Sequence, residues 1–434
     1  MSDLRKQILL SGGKSNESRK TISRKARSRP ESGLNSSTNS PITSPGVSRP
    51  NSRPSSRYPS GDEDGSDHMT DSGSDSESSA PWEQRLDACI AELPSRKHSS
   101  GAGRSGILKA YLHLIRHHYA ETKLEKSVSE IIPNLLKSIK SGTSTEEKSF
   151  AIKALAVTIL TYTDDDMCEQ IVETLKNVCE DEGDEDVKAD ALYTMSIAII
   201  YGGGLEAEME DFLEYLITII ESDGGQVNAF DSGKVVSAAL QSWAFVATSL
   251  DSLDAQSYEA LEAFSEQLDS GDVDVQISAG VNIALLFEVT RNLEESETGD
   301  KMNLHVDPRV LVKRMSELAK GSKSISKRSR RNLRSSFASI ITSLETNKGP
   351  GWRDSVPEQP KNAYDEPDPA DDPTILRYRH KLTAAGTTFW IDTWAALIRV
   401  EMMKRILKGG FLTHFEDNPV FFRSVGGLMH YESG

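Results

Sequence analysis

This sequence of 434 residues predicts an all-α fold, a HEAT/armadillo-like α-solenoid. Three observations predict it. Strand-type alternation is nearly absent. Apolar, alanine-containing helical segments recur at a spacing of roughly 40 residues. Between them lie amphipathic helical segments with charged outer faces.

Ahead of the repeats, residues 1–60 hold twelve Lys or Arg against three acids, and GDEDGSDHMTDSGSDSESSA follows with acids and no Lys or Arg. Residues 11–80 are dominated by Ser, Pro, Gly, Arg and Asp, with few apolar side chains. Such a stretch buries too little apolar surface to offset chain entropy, so residues 1–81 read as a disordered tail of two charge blocks. Ser40 and Ser44 precede prolines, and Ser72 and Ser74 each have an acid three residues on; all four read as candidate phosphorylation sites.

From Trp82 to Thr346 the repeats begin and end. The clearest segments are EEKSFAIKALAVTILTY, EDVKADALYTMSIAIIYG, GKVVSAALQSWAFVATSL and DVDVQISAGVNIALLFEVT, aligned on Ala154, Ala191, Ala239 and Ala279. Small residues let these helices approach closely, while partners such as MCEQIVETLKNVCE and MEDFLEYLITII face water. The array stops at SISKRSRRNLRSSFASIITSLE, where Leu333, Phe337, Ile340, Ile341 and Leu344 make one apolar face. Residues 347–373, rich in Pro and Asp, read as a linker, and Asp372-Pro373 as the N-cap and first residue of a following helix.

Residues 374–434 read as a helical module. A helix from about Thr388 to Lys408 places Ile391, Trp394, Ala395, Ile398, Met402 and Ile406 on one side, widened by Trp390 and Leu397. Gly409-Gly410 is the expected C-cap, and Asn418-Pro419 restarts a short helix that Gly426-Gly427 ends. The module is expected to seal the edge of the last repeat, or to meet an external ligand with its cationic side, Arg399, Lys404, Arg405 and Lys408.

The formal net charge is −16, from 50 Lys and Arg and 66 Asp and Glu. No run approaches the ~18 apolar residues of a membrane span, and the N-terminus has no apolar signal region. Cys89, Cys168 and Cys179 form no CxxC, which fits a reducing compartment, cytoplasm or nucleus. SGGKS lacks the earlier glycine of a phosphate loop, and His113 and His117 lack an HExxH glutamate. TDDDM and EDEGDED lack calcium-loop spacing, and Gly202-Gly203-Gly204 reads as a turn. No nucleophile–base set assembles. The expectation is a non-enzyme without cofactor, metal, membrane or small-molecule substrate.

One segment stands out from the acidic body. Lys320, Lys323, Lys327, Arg328, Arg330, Arg331 and Arg334 occur with no acid among them. A helix starting near Ser326 would set these cations at its positive end, disfavoured by a few tenths to ~1 kcal/mol each. Either the helix starts near Asn332 or Ser335, or a polyanion offsets the repulsion. The segment is then either a solvated face or nuclear-localisation signal, or a set of phosphate-backbone contacts without base readout.

KRSRRNLRSSFASIITSLE, the Pro/Asp-rich gap, and FWIDTWAALIRVEMMKRILKGGFLTHFEDNPVFFRSV resemble, in that order, the interferon-related developmental regulator family, in a fungal-type form. The resemblance implies a non-enzymatic regulator, active in nuclear transcriptional co-regulation, including co-repressor complexes, and in binding ribosomes where translation is inactive. It implies RNA-phosphate contacts at Lys327, Arg328, Arg330, Arg331 and Arg334. It also makes Trp390, Ile391, Asp392, Trp394, Gly409, Gly410 and His414 signature residues, structural rather than ligand-binding. Longer animal members continue with a basic extension that can enter the mRNA path. Here the sequence ends at Gly434 without such an extension, which leaves open channel occlusion by a tail of that kind and whether the basic N-terminal arm takes its place. Two expectations follow: a ribosome- and rRNA-binding regulator, and a protein-only scaffold.

Overall fold

The computed structural model describes residues 80–95, 101–164, 167–250, 252–295, 304–321, 325–355 and 377–432. The expected disordered tail, its four candidate phosphorylation sites and the Asp372-Pro373 cap lie outside them. The repeats are α1 (Trp82–Glu92), α2 (Gly101–His117), α3 (Glu121–Leu124), α4 (Val128–Ser141), α5 (Thr145–Thr161), α6 (Cys168–Asp181), α7 (Glu185–Tyr201), α8 (Glu206–Glu221), α9 (Gly233–Ala247), α10 (Asp254–Gln267), α11 (Val273–Glu295), α12 (Pro308–Gly321) and α13 (Lys327–Thr346).

The four recurring segments are α5, α7, α9 and α11, and with α2 and α13 they form one row in which each helix packs on the next. α4, α6, α8, α10 and α12 each cover one member of that row from outside. Short polar side chains start the row helices: Ser144 accepts from Glu147 N–H, Asp184 from Asp186 and Val187 N–H, and Ser232 from Val235 N–H. Small residues make close packing possible. A Cβ on Gly280 of α11 would stand 2.9 Å from Ile340 Cδ1 of α13.

Buried polar groups join neighbouring row helices as well. Tyr111 bonds Thr158 at 2.9 Å, Tyr193 Oη donates to Gln241 Oε1 at 2.9 Å, and Asn282 Nδ2 donates to Leu240 O at 2.9 Å. Each satisfies a group that would otherwise be costly to bury. Within α11, Val273–Leu293 is long and apolar enough to cross a membrane, but it is a row helix packed on α9, α10 and α13.

The C-terminal part departs from the sequence expectation in three ways. It is not wholly helical: β1 (Lys381–Ala384), β2 (Thr387–Trp390) and β3 (His430–Glu432) form an antiparallel sheet in that order. Ala385 and Gly386, at φ 47° and 83°, make the tight β1–β2 turn, and the β-branched and aromatic run Thr387-Thr388-Phe389-Trp390 is a strand. The helix expected from Thr388 therefore begins later, as α14 (Trp394–Leu407), capped by the Thr393 side chain on Ala396 N–H.

Second, Gly409-Gly410 is not a left-handed C-cap. Lys408 itself takes φ 49°, and a 3-10 turn over Lys408–Gly410 leads into α15 (Phe411–Asp417). Gly410 is required for close approach, since a Cβ there would fall 1.6 Å from Arg116 O. α16 (Pro419–Gly426) follows, with the Asn418 side chain accepting from Val420 and Phe421 N–H as its cap.

Third, the module does not merely seal the last repeat. α14 packs on α11, α9 and α5, and α15 packs on α2. α14 is accordingly buried on most of its circumference, at Trp394, Ala396, Ile398, Val400, Met402, Met403, Ile406 and Leu407.

Trp394 is 3 % exposed and donates from Nε1 to Ser343 Oγ of α13 at 2.8 Å. Trp394→Ala removes that packing and leaves a cavity, an expected loss of ~3–5 kcal/mol in chemical denaturation. Melting like the wild type would contradict the core placement.

Candidate nucleic-acid interface

The basic segment occupies the last pair, α12 and α13. The Ser326 hydroxyl accepts from Ser329 N–H, so α13 starts at Lys327, earlier than the alternative starts near Asn332 or Ser335. Its first turns carry Lys327, Arg328, Arg330 and Arg331 with no acid in the first turn. The helix dipole and the cations therefore add at this end.

These side chains do not all do the same thing. Arg334 Nε donates to Ala319 O at 2.9 Å, satisfying a carbonyl in the last turn of α12. Half-buried Arg330 donates to Ile325 O at 3.2 Å. Lys320, Lys327, Arg328 and Arg331 are exposed, and Lys323 lies outside the described residues. The structure adds cations that the sequence reading passed over: Arg309 and Lys313 of α12 are exposed, on a helical line with Lys320. Arg314 is already paired with Asp269 of the preceding repeat.

The signature residues anchor the module. Ile391 N–H donates to His380 O at 3.0 Å, and Asp392 Oδ2 lies 2.8 Å from His430 Nδ1. Trp390 is 9 % exposed, with Lys381 over its ring. A Cβ on Gly409 would meet His117 Nε2 at 3.1 Å. Three further anchors make contacts that the sequence does not show, and one of them, Glu288, was not singled out there at all. Buried Glu288 of α11 accepts Trp394 N–H at 2.8 Å and Ala395 N–H at 3.1 Å; its burial raises its pKa, and those two bonds oppose the rise. Half-buried Arg399 donates to Thr248 O, Thr248 Oγ1, Ser249 Oγ and Ser424 at 2.8–3.0 Å, which ties α14 to the end of α9 and to α16. Asn418 Nδ2 donates to Leu160 O at 2.9 Å. Such single polar contacts between distant segments have no short-range sequence pattern of their own.

Burial pushes the Cys168 thiol up to about 11 and Cys179 up to about 12, which keeps both protonated and unreactive. Two open grooves of about 410 and 750 Å³ adjoin Tyr201 and Val420, where the α7–α8 turn meets α16. Among the described residues no group of His, Cys, Asp or Glu is placed to hold a metal ion.

His414 gives a pH test of the anchoring. Its Nε2 donates to Ile115 O at 2.9 Å, and its buried Nδ1 has no partner among the described residues. Burial holds its pKa below the usual imidazole value, with the Ile115 bond opposing. A depressed folded-state pKa gives stability that is present above ~6.5 and lost as pH falls through the folded value. His380 is shifted the same way, by burial first. The melting temperature should therefore drop from pH 7 to pH 5, and less so in His414→Gln, whose amide keeps a donor. An unchanged pH dependence in that variant would contradict this account.

Comparison with known proteins bears on the same segment. A sequence model described as interferon-related developmental regulator (IFRD) matches residues 53–345, which include α13 to its penultimate residue and not the C-terminal module. An uncharacterised protein of Schizosaccharomyces pombe is 25 % identical over 372 residues, covering 82 % of this chain and 77 % of its own length. That relative is fungal, in keeping with the fungal-type form of the sequence. The chain belongs to the interferon-related developmental regulator family. Membership supports a regulator of gene expression in the broad sense.

Proposed function

We propose that this family member is a non-enzymatic regulator that binds ribosomes through rRNA phosphates at its basic end, in cytoplasm or nucleus, under conditions of translational inactivity. The observation that supports this reading is the start of α13. A helix that opens on Lys327, Arg328, Arg330 and Arg331 concentrates positive potential at one point of an acidic protein. A polyanion relieves that repulsion, and the surrounding acidic surface orients the protein on it. Shape and backbone contact would be the mode of recognition, without base readout.

A second reading, a nuclear scaffold for protein partners such as co-repressor complexes, draws on a different surface. Between Gly202 and Thr290 the sequence has a single cation, Lys234, and Leu205, Phe230 and Tyr258 are more than 60 % exposed there. That surface suits a basic protein partner. Nuclease-resistant capture of partners without any ribosome association would favour it.

The discriminating experiment is co-sedimentation of the full chain with ribosomes across a salt series. The comparison is a variant with Ala at Lys327, Arg328, Arg330, Arg331 and Arg334, matched to wild type for melting. Log K should fall linearly with log salt, and the variant should lose roughly 0.7–0.9 of slope for each phosphate contact removed. Absence of wild-type binding at moderate salt would overturn the reading.

A further inference from the structure

The end of α13 gathers a second set of cations, in which the RYRHK run at residues 377–381 meets cations that follow α13. The chain leaves α13 through Asn347 at φ 57° and folds back along it, so that Gly351 N–H donates to Ser339 Oγ at 2.9 Å. There it meets the segment before β1. Gly351, at φ 74°, lies against His380, whose Cδ2 would stand 2.5 Å from an added Cβ, so glycine is required for the approach. Trp352 and Tyr378 meet edge to face at 5.1 Å. Lys348 and Arg377 both lie 5.3 Å from the Trp352 ring centre, one from each segment.

Four cations thus converge: Lys348 and Arg377 at Trp352, and Arg353 and Arg379 beside His380. His380 reports the same crowding. Its burial, and then Lys404, Arg379 and Arg353, hold its pKa down, while Glu401 alone among the nearby charges opposes them. Arg353 Nε is a buried donor with no acceptor among the described residues. Asp354 is the one acid on either segment among the described residues; Asp392 Oδ2 lies 2.8 Å from His430 Nδ1, and its buried Oδ1 has no hydrogen-bond partner among them.

The cluster shares a side of α13 with the basic start of that helix. From Arg328 to Ser339 is eleven residues, about 1100° of helix rotation, which returns within about 20° of the same line. The separation along the axis is ~17 Å.

We infer that the cations around Trp352 are the second half of a phosphate-backbone track on the last repeat, joined through α13 to Arg328 and Arg331. The inference rests on the nucleic-acid reading proposed above and extends it to residues outside the basic segment. Trp352 acts as a mount: with Lys348 and Arg377 against its ring, it holds the cations in place and is not a base-stacking platform. The ligand class is an RNA backbone, double-helical over this span.

The test is binding of the full chain to a fluorescent 20-base-pair RNA duplex and to ribosomes across a salt series. The variants are Arg353→Gln/Arg377→Gln/Arg379→Gln and the triple Arg→Lys at the same positions. The Gln variant should lose about two to three units of the log K against log salt slope, and the Lys variant should keep it. Wild-type binding with an unchanged slope in a folded Gln variant overturns the track and leaves the α13 reading standing. Loss of binding by both variants with lowered melting makes the cluster structural and overturns the track. No binding by wild type to either probe overturns the nucleic-acid reading and the track with it.

Discussion

A single buried carboxylate fixes the relation between the two parts of this chain. Glu288, 3 % exposed in the middle of the α11 row helix, receives the first two free N–H groups of α14. Helix N-termini leave such donors without intrahelical partners, and burial makes each unmet donor cost ~1–3 kcal/mol. A carboxylate supplied by another helix meets two of them at once. The requirement is mutual, because Glu288 has few other ways to be solvated at that depth. The start of α14 is therefore tied to one place on the row, and Arg399, His414 and Asn418 repeat the device further along.

This arrangement decides which surfaces are open to partners. The inner face of the row, the groove in which many helical-repeat proteins hold a ligand, is occupied by α14 and α15. What is left includes the outer helices α6, α8 and α10, which are acidic, and the end formed by α12 and α13, which is basic. The charge contrast is a consequence of folding: the same chain presents opposite signs to solvent at different places, and orientation on a charged partner follows from it.

Much of this was legible beforehand. Alanine-centred segments of period near 40 residues identify the row helices because close packing needs small side chains there, and Ala154, Ala191, Ala239 and Ala279 are all buried. Asn418-Pro419 and Gly426-Gly427 bounded α16 as local rules require. The errors arose where long-range contact overrides local pattern. Thr387–Trp390 reads as a turn of apolar helix until β1 and β3 are there to pair with it. Gly410 reads as a cap until Arg116, far away in sequence, is found against it. At the candidate interface, the cations within Lys327–Arg334 could be found by composition. Trp352, Arg353 and Arg377 come together only through the fold-back after α13, which no short-range spacing encodes.

The central claim is that the module and the row fold as one body through the Glu288 contact. Hydrogen exchange of the full chain, compared between wild type and Glu288→Ala, measures this directly. The account predicts that protection falls together across α14, α15 and α16 and along the facing parts of α2 and α9, while α4 and α6 stay as in wild type. Loss confined to the first turn of α14, with α15 and α16 unchanged, would contradict it.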